Sequence, residues 1–161
     1  MTQSCFREQE VYRMLLTYPA LIYFTVEEED SPYFVHFPDF ENSATQGRTI
    51  SEAMSNASEY LGMMAASLIE EGEKLPKASA INDLTLEEDF PFKDDEDVAS
   101  EYNLDQSFKS MVMVDVEHYL DATKLVKKTL TIPKWANDLA VKRNINFSHL
   151  LTTAIVNEVR M

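Results

Sequence analysis

Hydrophobic and polar positions follow two rhythms along the chain, and their order lays out its elements. ALIYFTV (Ala20–Val26) is a continuous β-branched and aromatic run, short enough for a strand. The charged stretch EEEDSP interrupts it, and YFVHF (Tyr33–Phe37) resumes until Pro38 stops it, so the two read as a hairpin. In SATQGRT, Gly47 marks a turn after a candidate third short strand. From there the period changes. Ile50, Ala53, Met54, Ala57, Leu61, Met64 and Leu68 recur at three- and four-residue steps, the core-facing stripe of a helix over 50–71. Thr49 and Glu52 have capping-box spacing, in which each side chain reaches the other's free backbone N–H. Gly72 suits the left-handed position past the helix end, and Pro76 prevents resumption.

Positions 82–106 have no period. They include LEEDFPFKDDEDVASEY, dense in acid, and read as a solvated loop. SMVMVDV (Ser110–Val116) returns to strand character, with Met111, Met113 and Asp115 on one face and Val112, Val114 and Val116 on the other. Apolar residues on both faces predict a strand inside the sheet, beside the hairpin and under the helix. EHYLDATK then reads as a turn or helical linker.

The last segment has a third organisation. In KKTLTIP, Leu130 and Ile132 share one face of a strand, while Lys127, Thr129 and Thr131 share the other. Pro133 opens a helix with Trp135, Ala136 and Leu139 on its apolar side. RNIN breaks it, and Asn146 caps a second helix whose buried stripe is Phe147, Leu150, Leu151, Ala154, Ile155 and Val159. A strand-helix-helix unit this short is too small to stabilise its own core, and its single strand has both edges open. Pairing with the same strand of a second copy meets both needs. The expected dimer core is Leu130, Ile132, Trp135, Leu139, Leu151 and Ile155.

Charge sharpens this division. The net charge is −14, yet from Lys124 onward there are seven basic and two acidic residues, a segment of +5. Residues 1–123 hold seven basic and 26 acidic, a net −19. The two regions therefore suit different partners. A two-stranded ribbon fits the major groove of B-DNA, so Lys127, Lys128, Thr129 and Thr131 are the candidate DNA contacts. Asn146 and Ser148 aim the last helix's N-terminus at a phosphate.

Other chemistry is sparse. Apolar content of 45% indicates a folded chain, and no apolar run approaches the roughly 20 residues of a membrane span. The N-terminal stretch has no apolar core of signal-peptide type, and the lone Cys5 excludes an internal disulfide, so a soluble cytoplasmic protein is expected. His36, His118 and His149 fall in three separate elements, and Asp39, Glu41 and Glu59 lack a supporting nucleophile or metal-spaced partner. With only three glycines there is little room for a phosphate loop. No enzymatic activity, metal or cofactor is expected.

TLTIP with its helix spacing and cap resembles the ribbon-helix-helix repressors, the family of Arc and MetJ. Further marks are ordered along the chain: Tyr18-Pro19, Phe37-Pro38-Asp39, Thr45-Gln46-Gly47, Glu52-Ala53, Asn56-Ala57, Gly72, Pro76, MVMVDVEHYLDA, KKTLTIPKW and NINFSHLL. As a set they resemble the long form of HicB-type antitoxins from about Tyr18 to Val159; Glu41-Asn42-Ser43-Ala44 departs from the Pro-Gly-Cys-type turn of many relatives. The resemblance implies an α+β fold in two parts. Residues 14–116 would be a partial RNase H-like sheet covered by a helix, inactive as a nuclease, and 117–126 a linker. Residues 127–161 would be a dimerising ribbon-helix-helix domain that represses its own operon. It implies a small, basic, mRNA-cleaving HicA-type toxin as partner, occluded by the acidic part. The candidate toxin contacts are Glu27, Glu28, Glu29, Asp30, Asp39 and Glu41. Operator double-stranded DNA is the second partner, and a homodimer, open to tetramer formation, the working state. The rival reading is a stand-alone regulator whose N-terminal part senses a small molecule.

Overall fold

The first apolar run extends backwards through LLTYP to make a strand of 11 residues, β1 (Leu15–Thr25). With β2 (Tyr33–His36), β3 (Thr45–Gly47) and β4 (Tyr102–Asp115) it forms an antiparallel sheet in the order β3-β2-β1-β4. The computed structural model describes residues 13–120 and 126–159. Residues 121–125 of the expected linker, and Cys5, lie outside them. The β1–β2 hairpin sets Ile22 opposite Val35 and Tyr23 opposite Phe34, and Thr25 N–H closes it on the Pro32 carbonyl at 2.9 Å. Beside β1, the β4 register slips between Ile22 and Phe24. There Ser107 Oγ accepts the Phe24 N–H at 3.0 Å, satisfying a donor that the ladder drops.

Strand alternation sends Leu16, Tyr18, Ala20 and Ile22 to one face, and α1 (Ile50–Glu70) crosses that face with Ala53, Ala57, Leu61 and Ala65 buried against them. Both helix ends follow the sequence signals. Thr49 Oγ1 accepts the Glu52 N–H at 3.1 Å, while the Glu52 carboxylate accepts the Arg48 N–H, one residue before the position a capping box uses. Gly72, at φ +74°, closes the helix: its N–H reaches Ile69 O, and Glu73 N–H reaches Leu68 O at 2.8 Å. Two details of the expected stripe change. Ile50 is exposed, because it lies one turn ahead of Ala53, which already covers the edge strand β3. Gly47 is the last residue of β3 rather than a turn. A Cβ there would lie 2.3 Å from the Ala53 nitrogen, so only glycine lets helix and strand approach this closely.

Two further expectations are corrected. Strand β4 is at the sheet edge, not inside it. Val112 and Val114 pack under α1, but Met111 and Met113 on the other face are exposed. Apolar character on both faces had stood for burial on both. Nor is 82–106 a solvated loop. It contains a 3-10 turn at Ile81–Asp83, a short helix α2 (Glu96–Ser100) and the start of β4. Its acids face water while Leu84 and Phe90 bury against Leu21 and Tyr23, on the sheet face away from α1. Phe34, Leu86, Val98 and Tyr102 surround them. The segment is a strap over the second face. Lys109 Nζ fastens it by donating to Ile81 O at 3.0 Å and Leu84 O at 2.6 Å, and Tyr23 OH donates to Leu86 O at 2.9 Å.

After β4 a 3-10 turn (Val116–His118) carries Tyr119 onto α1 at Gly62, where a Cβ would stand 2.3 Å from the Tyr119 ring. The packing thus runs through Leu120, past the expected boundary at 116. Beyond it come α3 (Lys134–Lys142) and α4 (Phe147–Val159), with Asn144 left-handed at φ 52° between them. As the cap reading expected, Asn146 Oδ1 accepts the His149 N–H at 3.1 Å. Residues 127–132 form no regular strand in the single chain. The stripe expected to be buried on α4 is not, since nothing in one chain covers it; only Val156 and Val159 reach the edge of the main core. No helix among the described residues is long and apolar enough to cross a membrane.

Candidate functional site

The charged side chains separate into an acidic surface on the sheet-and-helix body and a basic, uncovered surface on the C-terminal segment. On the body, the hairpin turn presents Glu27, Glu28, Glu29 and Asp30 to solvent. Thr25 holds that turn: its hydroxyl donates to Glu101 O at 2.8 Å and accepts the Glu27 N–H at 3.1 Å. The turn is thereby tied to the strap, and Glu28 reaches the neighbourhood of Tyr102. Burial first, then the Glu101 and Glu28 carboxylates, push the Tyr102 phenol above its ordinary value.

Asp39 and Glu41 follow β2, at the opposite end of that strand from the hairpin turn, so the six candidate toxin contacts do not make one patch. Glu41 is exposed. The Asp39 carboxylate, in contrast, accepts both the Ser79 N–H at 3.0 Å and the Ser79 hydroxyl at 2.5 Å. It clamps the segment after α1 to the loop after β2. Nearby, burial and the Asp39 charge raise the Tyr18 phenol, whose hydroxyl donates to Pro76 O at 2.6 Å. Asp39 therefore serves the fold, with both oxygens engaged. His36 is likewise occupied, its Nδ1 lying 3.0 Å from Ser43 O. Among the described residues no three His, Cys or acidic side chains gather as a metal site.

The strap supplies the part of the surface that charge counting missed. Its acids were read as solvated, but its aromatics converge: Phe90 stands edge-on to Tyr23 at 4.7 Å and to Tyr102 at 5.1 Å, with Phe92 beside it at 5.7 Å. The signal was available in Leu84, Leu86, Phe90, Phe92 and Tyr102, large apolar residues set among carboxylates. No period betrayed them, because an irregular strap has none.

On the C-terminal segment, Lys127, Lys128, Thr129 and Thr131 are exposed along an extended stretch, and Asn146 and Ser148 sit at the start of α4. Leu130, Ile132, Trp135, Leu139 and Ile155 are exposed as well, Trp135 to 71%, and Leu151 is half-buried. Lys134 pairs with Asp138 one helical turn on, at 2.6 Å.

Residues 17–90 match the family described as HicB_like antitoxin of bacterial toxin-antitoxin system. A chain of a toxin–antitoxin complex from Streptococcus pneumoniae is 54% identical, over 89% of this chain and 99% of that one, with a TM-score of 0.64. The Burkholderia pseudomallei antitoxin HicB, 20% identical, shares the fold over 88% of this chain and 96% of that one, with a TM-score of 0.52. No curated protein matches the chain. Acidic body, uncovered basic segment and these likenesses together define an antitoxin of a toxin–antitoxin system. Within that class the chain belongs to the HicB-like antitoxin family.

Proposed function

We propose that the body, residues 14–116 with its packed extension to Leu120, binds and occludes a small basic HicA-type toxin, and that 127–161 dimerises as a ribbon-helix-helix domain that represses the antitoxin's own operon. One observation carries the toxin half: the 54% identity over 89% of the chain to a chain of a toxin–antitoxin complex. Residues 1–123, which contain this body, carry a net −19 and suit a basic, RNA-binding protein, whose approach they steer and whose cationic surface they complement. Occlusion of the toxin's RNA-binding face is the mode of silencing; no chemistry is required of the antitoxin.

The DNA half is supported by the bare face of Leu130, Ile132, Trp135 and Leu139 in the single chain. Pairing residues 127–132 antiparallel with those of a second copy would complete the open backbone edges and cover these side chains. The ribbon's outer face would then carry Lys127, Thr129 and Thr131 twice, related by a two-fold axis, as a palindromic operator requires. The proposal expects a short reading frame for a basic protein beside this gene, and co-expression with it tests the whole proposal. Growth should be rescued and the two proteins should co-purify, and the complex should retain a DNA fragment from the operon's own promoter. Absence of rescue overturns the toxin half, and absence of promoter binding the DNA half.

A further inference from the structure

Between the strap and the sheet lies a cavity of about 220 Å³. Tyr23, Phe90, Tyr102 and Ala99 line it, and Leu104 stands half in solvent at its mouth. Three of its eight lining residues are aromatic, three are aliphatic (Leu86 among them), and Glu87 and Lys93 are charged. The surroundings are acidic: residues 84–108 carry nine carboxylates against Lys93 alone. Glu87 lines the cavity while remaining exposed. The Lys93 ammonium is turned back onto the Glu88 carbonyl at 2.7 Å, and the Tyr23 hydroxyl onto Leu86 O at 2.9 Å. Glu28 of the hairpin turn and Glu101 of the strap add charge beside Tyr102.

Size decides what such a cavity holds. Sites for drug-sized ligands run to about 300–1,000 Å³, and a dry cavity of about 150 Å³ accepts benzene. This one is below that drug-sized range and has room for a single long side chain. Aromatic faces attract cations, and Arg and Lys bring an apolar stem behind a charged head. Aromatic and aliphatic walls with Glu87 among them offer each part of such a side chain its match, and the one cation in the lining, Lys93, is already held by the Glu88 carbonyl.

We propose that this cavity is the anchor point for one arginine or lysine of the basic toxin, its stem along Phe90 and Tyr102 and its head at Glu87. The inference rests on the toxin-binding function proposed above and names the place on the body where binding is strongest. Full-length chain titrated with the co-encoded toxin in a calorimeter tests it. Ala99→Phe fills the cavity from α2, and Glu87→Arg reverses the rim. Each should weaken toxin binding at least about tenfold while the melting temperature stays at the wild-type value. Glu59→Arg, an equal charge change at an exposed position of α1, across the sheet from the strap, should cost less than about threefold. One Arg or Lys of the toxin should also lose its contribution in the Ala99→Phe background, read as a double-mutant cycle. If Glu87→Arg and Glu59→Arg cost the same, only general attraction is at work and the anchor is overturned. A folded Ala99→Phe chain that binds normally overturns it too; should that variant not fold, the Glu87 and Glu59 comparison decides alone. Wild-type chain that fails to bind toxin overturns instead the function on which the anchor depends.

Discussion

Gly47 shows how one residue fixes the packing of a strand on a helix. Its missing side chain leaves the 2.3 Å that a Cβ would need to the Ala53 backbone, and backbone cannot swing aside as a side-chain end does. Gly47→Ala should therefore push β3 off α1 and cost at least about 1–3 kcal/mol, measured by urea denaturation, the range for forcing an extra methyl into a packed core. Ser55→Ala, at an exposed position of the same helix, should change little. The tyrosines give the second residue-scale prediction. Tyr18, Tyr23 and Tyr102 all have phenols raised above 10.0, with burial the largest cause in each. A neutral phenol is favoured in the folded state, so the native chain holds protons that the unfolded chain releases. Stability is then fully present below pH 10.0 and falls as pH rises beyond it. Melting temperature measured from neutral to strongly alkaline pH should drop above that point, and more shallowly for Tyr102→Phe. A flat profile would show these rings to be less buried in solution.

At the scale of elements, the C-terminal stretch 127–132 is the one that makes no regular structure in a single chain, although its sequence alternates like a strand. Ile132→Asp places a charge in the middle of the expected interface. It should convert a dimer to monomer by sedimentation and abolish operator binding, while toxin binding persists. Dimer retention in that variant would move the interface elsewhere. Thr131 and Lys127, on the other face, should separate by kind of contact. Thr131→Ala should cost on the order of 1–3 kcal/mol and alter sequence preference, as lost base contacts do. Lys127→Ala should weaken binding evenly across sequences and lower its salt dependence. The elements legible in the sequence were those with a period. The hairpin and α1 announced themselves through alternation, three- and four-residue steps, a cap and Gly72, and the Asn146 cap was legible in the same way. What hid was irregular or depended on a neighbour. The strap's large side chains pack at uneven intervals, so Phe90 and Tyr102 looked like loop residues. The edge position of β4 depends on what stands beside it, and that is not written in its own residues. Asp39 looked like a free carboxylate because its partner, Ser79, lies 40 residues away.

The whole molecule carries its charge in two lots, −19 on residues 1–123 and +5 on the remainder, and this has a consequence for regulation. On the proposed function, a duplex held by the basic segment would also be repelled by the acidic body, within the reach that salt allows, about 8–10 Å at physiological ionic strength. A basic toxin seated on the body cancels part of that repulsion and adds cationic surface of its own. Toxin binding and operator binding would then be coupled through charge, with no change of shape required, and the coupling would be reciprocal. Operator affinity should accordingly be higher for the antitoxin–toxin complex than for antitoxin alone. Because the cause is electrostatic, the difference should shrink as salt is raised. Fluorescence anisotropy of a labelled operator fragment, titrated with each species at three salt concentrations, measures both effects. Equal affinities at low salt would remove the coupling, and a difference that survives high salt would assign it to contacts between toxin and DNA or to a rearrangement of the dimer.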